Sequence, residues 1–154
     1  MANILVADDE PTIRHMVRAA CITAGHKVTE AVDGPTGVMA YLRVKPDLLI
    51  LDVHMPGGGA QFVLNSLRFG GEKRICPVLV LTGSVEGSPD EIRKQFNVDR
   101  VLLKPFRAHD VTAAVAELLA AATRHAKEAE HGPHSGSGGQ GGPPPSDGGA
   151  FGSV

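Results

Sequence analysis

Long hydrophobic runs are missing from this 154-residue chain, as are paired cysteines and any marked excess of one charge. No apolar stretch approaches the roughly 20 residues that a membrane-spanning helix needs. The N-terminus, MANILVADDE, turns acidic before a signal-type apolar segment can form, which argues against a secretory leader. The expectation is a cytoplasmic protein without membrane insertion. Two cysteines, Cys21 and Cys76, match no metal-ligand or redox spacing and read as reduced thiols packed like small hydrophobes. Lys and Arg total 15 against 17 Asp and Glu, a formal net charge of -2. That balance offers no general affinity for nucleic acid, and no helix-turn-helix or basic segment is present.

The length suits one ordinary domain, and the composition divides near His131. From Gly132 to Val154 there are 23 residues, 9 of them Gly, 4 Pro and 4 Ser. This segment has too few apolar groups to offset its ordering entropy and reads as a disordered tail, 132–154. Before it, short apolar runs alternate with helical patterns. Strands are expected at Asn3–Ala7, Lys27–Glu30, Leu48–Asp52, Val78–Thr82 and Val101–Leu103. Four of them are nearly continuous Ile, Leu and Val, as in strands buried on both faces of a parallel sheet. Helices are expected near Pro11–Ala24, Pro35–Arg43, Ala60–Phe69, Pro89–Phe96 and Ala108–Ala122, with 123–131 a polar extension of the last. Ser88, Pro89 and Glu91 have the form of an N-cap, a first-turn proline and a capping-box partner. Five strands alternating with five helices make a doubly wound α/β domain, 1–122, with strand order 2-1-3-4-5 the common solution. Its binding crevice lies outside the carboxyl ends of the strands.

At those ends stand Asp8-Asp9-Glu10, Asp52, Thr82 and Lys104-Pro105. Carboxylates brought together repel one another and push one pKa upward. Mg²⁺, which takes one or two carboxylates plus a phosphate, removes that difficulty. A carboxylate nucleophile, a cation, an ammonium and a hydroxyl suit phosphoryl transfer, which needs positioning and charge neutralisation. A plainer reading also stands for one element: Asp9-Glu10 before Pro11 suits the N-terminus of the following helix. Gly57-Gly58-Gly59 lacks the arrangement of a P-loop and reads as a turn.

Thr82 follows Asp52 by 30 residues and Lys104 follows it by 52. With the acidic pair Asp8-Asp9, the DVHMP stretch Asp52–Pro56, the Thr82-Gly83 pair and the Lys104-Pro105-Phe106 run, the chain from Met1 to about Ala122 resembles a bacterial response-regulator receiver domain. The resemblance implies a flavodoxin-like fold and a single-domain regulator in a phosphorelay. It implies that Asp52 takes a phosphoryl group from a histidine kinase or histidine phosphotransfer protein. Asp9, Asp52 and the backbone carbonyl of His54 would ligate Mg²⁺, with Asp8 nearby or acting through water. Lys104 and the Gly83 backbone would meet phosphoryl oxygens, and the Thr82 hydroxyl would move to bond another. The Lys104–Pro105 bond would be cis. A downstream protein partner would dock on the face of the fourth helix, fifth strand and fifth helix, where Arg93, Lys94, Arg100, Val101, Pro105 and Arg107 lie.

Three positions depart from the family pattern. Val101 stands where Tyr or Phe is common, and its single stiff torsion cannot swing between exposed and buried states. Gly59-Ala60 places a glycine one residue earlier than usual, which should reshape the turn into the third helix. His54 and Ser84 occupy positions that tune dephosphorylation in relatives. Three functions follow: a phosphorylation-controlled binding module, which is not a classical enzyme although it catalyses its own phosphorylation and dephosphorylation; a phosphate shuttle or sink; or a phosphate-independent adaptor.

Overall fold

Strands form where β-branched and Leu residues run together, and helices where the apolar spacing lengthens to three and four. The computed structural model describes residues 1–72, 75–83 and 87–131. In chain order the elements are β1 (Asn3–Ala7), α1 (Pro11–Thr23), β2 (Lys27–Ala31), α2 (Gly34–Val44), β3 (Leu48–Asp52), α3 (Ala60–Phe69), β4 (Val78–Thr82), α4 (Pro89–Phe96), β5 (Arg100–Leu103) and α5 (Ala108–His131). The five strands are parallel, in the order β2-β1-β3-β4-β5. Met1–Ala122 forms one compact unit. The expected tail, 132–154, and Ser84 lie outside the described residues.

Strand alternation divides the core. Ile4, Val6, Leu48, Ile50, Leu79 and Leu81 face one side, with Val17 and Cys21 of α1 and Val111, Ala114, Val115 and Leu118 of α5. Leu5, Leu49, Leu51, Val78 and Val80 face the other, with residues of α2, α3 and α4. Each fully buried Leu or Ile contributes on the order of 2 kcal/mol by leaving water. The central strands are thereby fixed in place, and with them the residues that follow their last positions. Cys21 and Cys76 are free thiols, and burial pushes each up to about 11. They are protonated at neutral pH, as packed thiols should be.

Helix starts follow local chemistry. Asp33 accepts from the Thr36 N–H at 2.8 Å in a reciprocal capping box, and Ser88 accepts from the Glu91 N–H at 3.2 Å. The turn from β3 into α3 is ordered by its glycines, with Gly57 and Gly58 at φ 75° and 101°. Gly59 is the N-cap of α3, and a Cβ built on it would overlap the Val53 carbonyl oxygen. That oxygen is already engaged, accepting from the Ala60 N–H at 3.2 Å. The early glycine is thus a steric requirement of this turn. Gly59→Ala should cost about 2–4 kcal/mol, because only backbone displacement relieves the overlap. The midpoint of denaturant unfolding measures it, and an unchanged midpoint would refute the packing described for this turn.

Candidate functional site

The sheet register brings the acidic residues together. β1 and β3 are neighbours with Ala7 opposite Leu51, so the next residues, Asp8 and Asp52, stand side by side. Thr82 ends β4 opposite Leu103, and the Lys104 N–H donates to the Thr82 carbonyl at 2.7 Å. The same strand ends therefore carry Asp8, Asp52, Thr82 and Lys104 to one edge. Asp8, Asp52 and Thr82 are buried. The Lys104–Pro105 bond is cis.

The Lys104 ammonium lies among three carboxylates: 3.3 Å from Asp8 Oδ2, 3.4 Å from Glu10 Oε1 and 3.5 Å from Asp52 Oδ2. Asp8 Oδ1 accepts from the Glu10 N–H at 2.9 Å. Its Oδ2 is buried and has no hydrogen-bond partner; the nearby ammonium approaches it without hydrogen-bond geometry. Asp52 Oδ1 accepts from the His54 N–H at a long 3.5 Å. Burial first, and then the Asp8 carboxylate, push Asp52 up to about 6, against the opposing pull of Lys104. For Lys104, burial works against the charged form, but Asp52 and Asp8 more than offset it and the pKa is raised.

Beneath this pocket Arg14 secures the β1–α1 loop. Its guanidinium donates to the Asp8 carbonyl at 3.0 Å and to Glu30 at 3.0 Å, and its side chain is only 12% exposed. Arg14 was not expected at the site from the sequence, and Glu10, placed at this edge with Asp8 and Asp9, had no role in the expected ligand set. The plainer reading of Asp9-Glu10 was the start of the following helix.

The other expected residues fall in two groups. Asp9 and His54 are exposed beside the pocket. The carboxylates that gather within 4.8 Å of one another among the described residues are those of Asp8, Glu10 and Asp52. Asp9 sits between Asp8 and Glu10 in the loop and is exposed. Gly83 is exposed beside Lys104, where a Cβ would meet only ordinary contacts at 3.8 and 3.9 Å. Away from the pocket, Val101 is buried in the core with Ile92 and Phe96, and Pro105 is exposed. Arg93 and Lys94 are ion-paired with Asp90 of their own helix, and Arg100 with Glu117 of α5. The face of α4, β5 and α5 is consequently less basic than its arginines suggest.

The donor set fits Mg²⁺. Asp8 offers a buried carboxylate oxygen with no hydrogen bond, and Asp52 a second buried carboxylate whose ionisation is opposed by its surroundings. A hard dication satisfies the first and relieves the second. Among the described residues no helix is long and apolar enough to cross a membrane.

A parallel five-stranded sheet carrying this acidic pocket and a facing lysine at its carboxyl edge defines a signalling module of the two-component type. Residues 4–116 match the response regulator receiver domain family, and the chain belongs to it. It is 35% identical over 112 residues to the probable transcriptional regulatory protein TcrX of Mycobacterium tuberculosis, covering 66% of this chain and 47% of that protein. It is 30% identical over 118 residues to protein PilH of Pseudomonas aeruginosa, covering 70% of this chain and 97% of that one. Among solved structures, the chemotaxis response regulator CheY4 of Vibrio cholerae matches with a TM-score of 0.69 and 28% identity, over 77% of this chain and 98% of that one. The chain spans about half the length of several curated relatives that it matches, TcrX among them. It is therefore a receiver domain of a two-component response regulator, with relatives of single-domain size as well as longer ones.

A raised Asp52 has a consequence for stability. The folded protein holds this proton more tightly than the unfolded chain does. Ionisation therefore costs stability progressively as pH rises from about 4 through about 6, and the whole cost is present above that. In metal-free buffer Asp52→Asn should accordingly be more stable than the wild type at neutral pH, by about 1–3 kcal/mol, and indistinguishable from it near pH 4. Urea unfolding at the two pH values tests this; a variant less stable at neutral pH would contradict the electrostatics described.

Proposed function

We propose that Asp52 is the phosphoacceptor of this domain and that its modification alters a protein–protein contact. The observation that carries the reading is a buried carboxylate pair, Asp8 and Asp52, sharing one ammonium, with an oxygen of Asp8 left without a hydrogen bond. In the proposed step an Asp52 carboxylate oxygen attacks phosphorus of a phosphohistidine. The P–N bond breaks, its electrons stay on the imidazole nitrogen, and an acyl phosphate forms on Asp52. Asp8, Asp52 and the His54 carbonyl, with Asp9 at the rim, would hold Mg²⁺, which when bound neutralises charge on the transferring group.

The chain's own residues do the rest. Lys104 offers its ammonium to a phosphoryl oxygen, the Gly83 N–H and the Thr82 hydroxyl bond others, and Arg14 keeps the Asp8 backbone in register. Such catalysis is positioning and charge compensation more than covalent chemistry. Asp52 modification and hydrolysis at this site make the domain a switch more than a turnover enzyme.

The donor in this reading is a histidine kinase or histidine phosphotransfer protein. The output surface is α4, β5 and α5, with Arg93, Arg100, Val101 and Pro105. Nucleic acid is not a direct partner, the protein is cytoplasmic, and 1–122 is the functional domain, followed by a polar helical extension, 123–131, and a tail, 132–154. One observation favours a second reading: Val101 is 8% exposed and packed in the core. A buried valine cannot alternate as an aromatic would, which favours signalling through loop movement or a phosphate-independent adaptor.

Intact-protein mass after incubation with acetyl phosphate and Mg²⁺ checks the assignment. The expected result is one phosphoryl gain that needs both Mg²⁺ and Asp52, and that Lys104→Ala slows. An equal gain on Asp52→Asn, or none on the folded wild type, would refute it.

A further inference from the structure

We propose that Glu10 is a positioning residue for Lys104, holding its ammonium in the unphosphorylated protein so that an incoming phosphoryl group must take the lysine from it. This rests on the phosphoacceptor reading above, and Glu10 has no place in the ligand set proposed there.

Two independent features of Glu10 support it. Glu10 is the N-cap residue of α1, and its carbonyl accepts from the Arg14 N–H at 2.9 Å, yet its side chain makes no capping hydrogen bond. A carboxylate at a helix start ordinarily turns to the free N–H groups there. This one instead crosses to the far end of the sequence, with Oε1 3.4 Å from Lys104 Nζ. Moreover, the ammonium donates to Glu10 at 3.4 Å, as near as the ion-paired carboxylates of Asp8 at 3.3 Å and Asp52 at 3.5 Å. Two buried carboxylates and one exposed carboxylate thus share the lysine, and the exposed one, Glu10, lies on the solvent side.

The consequence is a competition. Lys104 is 13% exposed and Glu10 59%, so the pair sits at the mouth of the pocket with one partner in water. Its contribution is that of a partly screened ion pair. A phosphoryl donor entering there meets the Glu10 charge and must draw the ammonium off it. Both costs fall on donor binding, before the P–N or P–O bond breaks. They should therefore appear in the half-saturating donor concentration and leave the saturated rate alone.

The test compares wild type with Glu10→Gln, which keeps size and the backbone cap and removes the charge; Glu10→Ala serves as a second variant, and Glu128→Gln removes an equal charge outside the site. The first readout needs no phosphodonor: the rate of reductive methylation of Lys104, followed by peptide mass. Freed of its directing carboxylate, Lys104 should react about two- to five-fold faster in both Glu10 variants, as expected for loss of an exposed pair, and at the wild-type rate in Glu128→Gln. The second readout is Asp52 phosphorylation by acetyl phosphate, where the half-saturating concentration should fall by a similar factor at an unchanged maximal rate. Mg²⁺ affinity by calorimetry should stay within about two-fold of the wild type. An unchanged methylation rate in the folded variants would overturn the proposal. So would a ten-fold or greater loss of Mg²⁺ affinity, which would make Glu10 a cation ligand. Because the methylation arm uses no phosphodonor, it stands or falls apart from the phosphoacceptor assignment, which wild type and Asp52→Asn test.

Discussion

Two carboxylates at the ends of adjacent central strands, out of water and side by side, are the constraint on which this site depends. Burial and the neighbouring Asp8 carboxylate oppose the ionisation of Asp52, and a single ammonium from Lys104 compensates only part of this. An apolar pair of the same volume would serve stability better. The arrangement instead leaves the pocket short of positive charge, which a dication can supply and which a phosphoryl group can then exploit. The sheet makes the strain tolerable. β1 and β3 are buried along their apolar length, so the strand ends cannot splay apart to let the charges separate.

How legible this was in the sequence differed by residue, for physical reasons. β1, β3 and β4 were bounded as the structure has them, because an unbroken apolar run ending in Asp or Thr has few other uses in a parallel sheet. The edge strands β2 and β5 each proved one residue longer, since their patterns are weaker. The grouping of Asp8, Asp52, Thr82 and Lys104 followed from strand order, because parallel strands end at one edge. Which member of Asp8-Asp9-Glu10 turns inward did not follow. In a loop no periodicity assigns side-chain direction, and the structure leaves Asp9 exposed and brings Glu10 to Lys104.

Partner choice among surface charges was equally hidden. The arginines near α4 and β5 were placed on the expected docking face, yet Arg93 is held by Asp90 and Arg100 by Glu117. The Asp90 pairing is local and could have been found from its spacing of three residues; the Glu117 pairing depends on how α5 crosses β5. Gly59 gives the opposite lesson. Its displacement from the family pattern was visible, but its cause, the Val53 carbonyl beneath it, appears only in three dimensions.

The most direct test of the account is the ionisation of Asp52 itself, followed by carboxyl carbon NMR in protein labelled at Asp. In metal-free solution the Asp52 signal should titrate with a midpoint raised to about 6, and adding Mg²⁺ should move that midpoint down. A midpoint in the ordinary carboxylate range, unmoved by Mg²⁺, would mean that the crowding of Asp8 and Asp52 does not govern this site.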